Sequence, residues 1–234
     1  MHYKNFAELE ASFDSLMRDK NLRRAIRKMS DPFAMIMLNK YALEVTLNWL
    51  CNTEQMLDVH NRTLFFTLDG VARDGLLSRY PNLNTVTKHI PCLQETFAPM
   101  DSTYMSFFVL RTNLIRTIIN YARSIWLLQA DTFWRENLFN VPIITDQAAK
   151  VFLDQDGYDG VAESRKESMN GANFFVSKSA ADLINDLYWY QSRFYVTDPD
   201  AMRIVCRKGI APSGCRFIHH RYHHLLLDPK YQLR

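Results

Sequence analysis

What the chain lacks narrows its possibilities first. No apolar run approaches the ~20 residues that cross a bilayer. The opening residues, MHYKNFAELEASFDSL, do not have the charged-then-apolar layout of a secretory leader. Two expectations follow: a cytoplasmic protein if the chain is complete as given, or a lumenal portion whose targeting segment is absent. Basic runs interleaved with aromatics are missing, and a net charge of +3 is small and evenly spread, so nucleic acid is not expected as a partner. Glycine is scarce, at seven residues, and no G-x-G-x-x-G, P-loop, G-x-S-x-G or H-E-x-x-H occurs. Rossmann dehydrogenases, NTPases, α/β-hydrolases and zincins therefore have no support. No internal repeat or low-complexity segment is visible. The four cysteines (Cys51, Cys92, Cys206, Cys215) are compatible with two disulfides but require none. Asn61-Arg62-Thr63 is a glycosylation sequon that matters only in a lumenal protein.

What is present describes an ordinary globular chain: 234 residues, 47% hydrophobic and 13% aromatic, enough for one sizeable core. The organising stretch is Ser124–Phe139, SIWLLQADTFWRENLF. Its apolar run Ile125–Leu128 is short, as in a strand buried on both faces, and breaks into Gln129-Ala130-Asp131. Ligands of open α/β sheets bind outside the carboxyl ends of the strands, so Asp131 is a candidate for chemistry; a turn former or helix cap is the alternative.

Phe6, Leu9, Phe13, Leu16, Met17 and Ile26 follow helical spacing, giving a helical extension over residues 1–31. From residue 32 to 234, short apolar runs alternate with helical patterns in one domain. Strands are expected at Phe33–Leu38, Leu64–Leu68, Thr85–Ile90, Ile125–Leu128 and Asn173–Val176. Helices are expected at Tyr41–Cys51, Val71–Arg79, Ser102–Arg123, Ile143–Leu153, Ser179–Gln191 (with a Ser cap) and Asp200–Cys206. The alternation implies an α/β fold with a doubly wound, mainly parallel sheet flanked by helices.

The order of pieces, Asn48-Trp49-Leu50-Cys51, LFFTLD ending at Asp69, a long helix, WLLQAD, NGANFFVSK, TDPDAM and an IHHRY tail, resembles the nucleotide-diphospho-sugar transferases. These are GT-A fold glycosyltransferases of the rhamnogalacturonan xylosyltransferase type. The similarity covers about residues 32–224. It implies transfer of a sugar from a nucleoside-diphosphate donor, UDP in the first place, to a hydroxyl of a glycan, protein or small molecule. It further implies Mn²⁺ or Mg²⁺, retention of anomeric configuration, and a Golgi or other secretory lumen, with a membrane anchor absent from this chain.

By position, Asp131 is the metal-binding carboxylate of a D-x-D motif whose first carboxylate is replaced by Gln129. Asn170, Gly171 and Ala172 match the family's donor or acceptor segment. Asp198-Pro199-Asp200 resembles its D-Q-D, with Asp200 or Asp198 positioning a hydroxyl. Asp69 matches a position near the nucleoside, and Arg111 or Arg116 one near the diphosphate. His219, or His220 one residue on, would complete the metal and diphosphate site, and Lys230 could pair a phosphate. Catalytic roles thus fall to Asp131, Asn170 and Asp200. Gln129 and Pro199 also fit an alternative, a GT-A-like binding module without full metal-dependent activity. A third reading is a zinc-stabilised domain on Cys206, Cys215, His219 and His223, although the gap between the cysteines exceeds the usual zinc spacing.

Overall fold

The computed structural model describes residues 12–98, 101–145, 149–155, 169–207, 214–218 and 223–225. Two short helices, α1 (Phe13–Arg18) and α2 (Lys20–Lys28), open it. Ser12 and Asp19 cap them, each side chain accepting from backbone N–H groups of the first turn. Strand β1 (Phe33–Leu38) follows, then a 3₁₀ turn (Lys40–Ala42) and α3 (Leu43–Thr53). Next come β2 (Thr63–Thr67), α4 (Gly70–Arg79), β3 (Asn84–Thr87) and the long α5 (Ser102–Asn120). The second half contains β4 (Ile125–Leu128), β5 (Thr132–Trp134), β6 (Val151–Gln155) and β7 (Met169–Val176). It continues with α6 (Ala181–Gln191), α7 (Asp198–Arg207), β8 (Cys215–Phe217) and β9 (His223–Leu225).

Seven strands form one sheet in the order β3-β2-β1-β4-β7-β6-β8. All run one way except β7, which is antiparallel to both β4 and β6. The sheet is mainly parallel, as expected, and helices cover both faces. That is why β1, β2 and β4 are buried at every position instead of alternating. Phe33, Met35, Leu64, Phe66 and Leu127 point to the face covered by α1, α2, α5, α6 and α7, where Leu16, Leu22 and Ile26 of the first two helices join the core. Ala34, Ile36, Phe65, Trp126 and Leu128 point to the other face, against α3 and α4. A separate two-stranded ladder pairs β5 with β9.

Three expectations are corrected. Ile143–Leu153 is not a helix: Pro142–Thr145 is a 3₁₀ turn and Val151 starts β6. The apolar triplet Val151-Phe152-Leu153 is sandwiched between β7 and β8, and those ladder partners decide its conformation. The strand expected at Asn173–Val176 starts four residues earlier, so Met169–Ala172 is the first half of β7. Helix α6 is capped by Ala180 without a side-chain hydrogen bond, because Ser179 is turned back onto Ser177.

Candidate functional site

Strand β4 delivers Gln129-Ala130-Asp131 to the carboxyl end of the sheet. The Gln129 N–H donates to the Ala172 carbonyl at 2.7 Å, extending the ladder with β7 by one rung. The Thr132 hydroxyl donates to the Gln129 carbonyl at 3.1 Å and closes the turn into β5. Asp131 sits in that turn. Its Oδ1 is buried with no hydrogen-bond partner among the described residues. Burial raises its carboxyl above the ordinary range, opposed by a hydrogen bond to its own backbone and by Arg111.

Arg111 enters the same region from α5 and is 2% exposed. Its Nη1 donates to Asp198 Oδ2 at 2.9 Å, and its Nη2 donates to the Gly171 carbonyl. Gln191 Nε2 donates to the other oxygen of Asp198, and the Thr112 hydroxyl donates to Gln191 Oε1 at 2.6 Å. A buried chain thus runs Thr112–Gln191–Asp198–Arg111–Gly171, tying α5, α6, α7 and β7 together. Burial pushes Asp198 up to about 6 despite attraction to Arg111 and the Gln191 hydrogen bond. Burial likewise lowers Arg111, with Asp198 opposing it. In both partners desolvation outweighs the pairing, as expected for a buried ion pair.

Other candidates occupy more local roles. Gly171 permits the close approach expected of it, but toward Arg111: a Cβ there would stand 3.3 Å from Arg111 Nη1 and 3.6 Å from Asp198 Cβ. Ala172 is buried, and its N–H donates to Asn170 Oδ1 at 2.8 Å. Asp200 is exposed and accepts from the Thr197 hydroxyl at 2.7 Å, so the first aspartate of Asp198-Pro199-Asp200 is the one built into the site. Asp69 caps α4: one oxygen accepts from the Ala72 N–H at 2.7 Å, the other from the Lys40 N–H at 2.8 Å. His219, His220 and Lys230 lie outside the described residues. The β5–β9 ladder nevertheless sets the backbone of His224 and His223 opposite Phe133 and Trp134, immediately after Asp131.

Sequence reasoning overlooked three groups. Gln191 and Thr112 complete the Asp198 chain, a link only tertiary packing makes. Tyr104 lies within the helix expected over Ser102–Arg123, and its phenol is raised by burial and by Asp198 and Asp131, with Arg111 opposing. The signal was there in its spacing, two turns ahead of Arg111 on α5. Beneath β5, the N–H and Nδ2 of Asn173 both donate to Asp154 Oδ2 at 2.9 Å, and Trp134 Nε1 donates to Asn173 Oδ1 at 3.2 Å.

At the opposite end of the sheet lies a cleft of about 430 Å³ lined by Phe13, Arg116, Asn120, Lys178 and Asn185. Arg116 belongs there, away from Asp131. Its guanidinium stacks on Phe13 at 4.4 Å and on Tyr188 at 4.2 Å. It donates to Asn185 Oδ1 at 3.0 Å and Asn113 Oδ1 at 3.1 Å. The zinc reading fails on its thiols, because Cys206 and Cys215 form a disulfide. No group of three His, Cys, Asp or Glu suited to a metal occurs among the described residues.

The chamber, as we call the carboxyl-end region of β4, combines a carboxylate whose Oδ1 has no partner among the described residues with a buried arginine–aspartate pair and the α5 phenol of Tyr104. Comparison with known proteins gives it a context. The sequence model described as nucleotide-diphospho-sugar transferase matches residues 58–232. The solved apo structure of mouse xyloside xylosyltransferase 1 is 13% identical, with a TM-score of 0.56, over 82% of this chain and 86% of that one. Core-mannan synthase A from Aspergillus fumigatus, in its Mn/GDP form, is 7% identical with a TM-score of 0.55, over 83% of this chain and 74% of that one. The apo WbbM bifunctional glycosyltransferase is 13% identical with a TM-score of 0.50, over 82% of this chain and 39% of that one. No curated protein sequence matches. At these identities the structural likeness is one of fold.

Proposed function

The chain belongs to the nucleotide-diphospho-sugar transferase family and has its GT-A fold, and from that premise we propose that it moves a sugar from a UDP donor to an acceptor hydroxyl with retention of configuration. The observation that carries the site assignment is Asp131, whose buried Oδ1 has no partner among the described residues at the end of β4. A desolvated carboxylate, two residues on from the amide side chain of Gln129, offers the hard oxygen chemistry suited to Mn²⁺ or Mg²⁺. Asp131, with Gln129 and one of His219 or His220, would hold the ion. When bound, the cation neutralises negative charge on the departing diphosphate.

The protein's own residues supply position and a dry wall. Arg111 is committed to Asp198 and the Gly171 carbonyl, so it fixes the chamber's β7 side. Asn170 Oδ1 accepts from the Ala172 N–H and so shapes the backbone that runs past Gln129. Donor and acceptor are then held against a preformed surface, which lowers the entropic part of the barrier. The Mn/GDP form of the mannan synthase supports divalent metal and nucleotide, while leaving uridine and guanosine as competing bases. The Cys206–Cys215 disulfide supports a secretory lumen, where such bridges persist. Glycans, proteins and small molecules all remain acceptor classes. Gln129 favours a second reading, donor binding with weakened metal-dependent transfer, because an amide contributes no negative charge.

The test is calorimetric titration of UDP and GDP with and without Mn²⁺, on wild type and Asp131→Ala, alongside donor hydrolysis. Mn²⁺ is expected to tighten nucleotide binding to wild type about tenfold or more and to leave Asp131→Ala unchanged. An equal Mn²⁺ effect in both proteins removes Asp131 from the metal site. Binding without hydrolysis or transfer selects the second reading.

A further inference from the structure

Tyr104, on the same face of α5 as Arg111, is a polar side chain to which the assignment above gives no role. Its backbone is fixed by a helix cap: Asp101 Oδ1 accepts from the Tyr104 N–H at 2.6 Å, and Oδ2 accepts from the Ala98 N–H at 2.8 Å. Its ring is fixed by neighbours, edge-on to Phe108 at 4.7 Å between centroids and tilted against Phe97 at 6.2 Å. Seven residues separate it from Arg111, so both leave the same face of α5. The side chain is half-buried. Helix α5 leads into the amino end of β4, so its first turns, with Tyr104, lie toward the carboxyl end of the sheet where Asp131 stands. Burial and the Asp198 and Asp131 carboxylates raise the phenol, with Arg111 opposing.

We propose that the Tyr104 hydroxyl hydrogen-bonds a ring hydroxyl of the sugar carried by the nucleotide donor. The inference rests on the nucleotide-sugar reading and names the group that reads the sugar. Its chemistry separates the donor's parts. A diphosphate at Asp131 attracts cations, and a neutral phenol is a poor substitute for one. A sugar hydroxyl is uncharged and both donates and accepts, as a phenol does. Within the sheet, β4 has β1 on one side and β7 on the other. Arg111, held by the β7 carbonyl of Gly171, keeps Asp198 on the β7 side, and Tyr104 leaves the same face of α5 two turns away. A donor anchored at Asp131 would send one of its ends to that side, and the phenol marks that end as the sugar.

The experiment compares wild type with Tyr104→Phe, which keeps both ring contacts. Affinities are measured by calorimetry in Mn²⁺ for UDP, UDP-xylose, UDP-glucose and UDP-galactose, and for GDP with GDP-mannose. The expected result is a loss of about five- to tenfold for the bound nucleotide sugar, with the parent nucleotide changed less than about twofold. A second measurement uses deoxy analogues of the tightest-binding sugar on both proteins. One analogue should bind wild type more weakly yet bind Tyr104→Phe no more weakly than its parent sugar does. Equal losses for nucleotide and nucleotide sugar, or no loss for either, overturn the proposal. Wild type that binds no nucleotide and no nucleotide sugar overturns the underlying reading, a different and separately visible outcome.

Discussion

Arg111 and Arg116 leave the same helix and meet opposite fates. Arg116 turns to the basal cleft, where two aromatic faces and two amide oxygens hold its guanidinium at the half-buried surface. Nearby, Lys178 pairs Asp31 at 3.4 Å with the lysine side chain 56% exposed. Every charge there keeps access to water, so the arrangement tolerates loss. Arg111 turns to the chamber, where it and Asp198 are 2% and 1% exposed and Asp131 brings a further, unanswered carboxylate. Concentrating charges in a dry place opposes folding. A fold that only needed to hold α5 in place had the cheaper basal solution available on the same helix. A local conflict with stability of this kind is what the proposed binding site would carry.

The sharpest way to break the comparison is to delete each guanidinium. Arg111→Met leaves Asp198 buried without its cation and is expected to cost about 3–5 kcal/mol in urea unfolding. Arg116→Met loses stacking and two hydrogen bonds at a half-exposed place and should cost about 1 kcal/mol. Arg111→Met combined with Asp198→Leu should recover most of the larger loss, because no charge is then stranded. Equal costs for the two single variants would show that the chamber is no drier than the cleft.

Gly171→Ala tests how closely the chamber wall is fitted. The added Cβ would crowd Arg111 Nη1 at 3.3 Å while meeting Asp198 Cβ at an ordinary contact of 3.6 Å. A loss of about 1–2 kcal/mol is expected from overpacking. In the Arg111→Met background that cost should shrink, since the atom it presses on is gone. A cost that is identical in both backgrounds would assign it to β7 itself.

These contacts also show what the sequence could reveal. Strand β1 was legible to the residue because Phe33–Leu38 is apolar on both faces and ends at Asn39. Strand β4 was legible for the same reason, and with it Asp131 at its exit. Strand β6 was not, because Val151–Leu153 is a strand only by virtue of β7 and β8, one of them more than sixty residues away. Arg111 could be preferred to Arg116 as the basic residue on the right helix, but its buried pairing could not be read. Its partner Asp198 is 87 residues away, and only the packing of α5 against α7 joins them. The expected catalytic role went to Asp200, but the start of α7 turns Asp198 inward and leaves Asp200 in water.

The smallest expected effect has the most informative sign. Asp131 is raised above its ordinary 3.8 in the folded protein, chiefly by burial. Below about pH 3 the group is protonated in both folded and unfolded states and adds no penalty. Stability is lost as pH rises from the unfolded value up through the raised folded value, and the penalty is complete above the latter. Asp131→Asn removes the charge and should therefore stabilise the metal-free protein by about 1 kcal/mol at pH 7. At about pH 3 the two proteins should unfold together. Added Mn²⁺ and UDP should reverse the order, raising the melting temperature of wild type but not of Asp131→Asn. If wild type were the more stable at pH 7 without metal, Asp131 would have to be answered from within the protein. The chamber would then resemble the basal cleft, a satisfied cluster with nothing left over to bind a ligand.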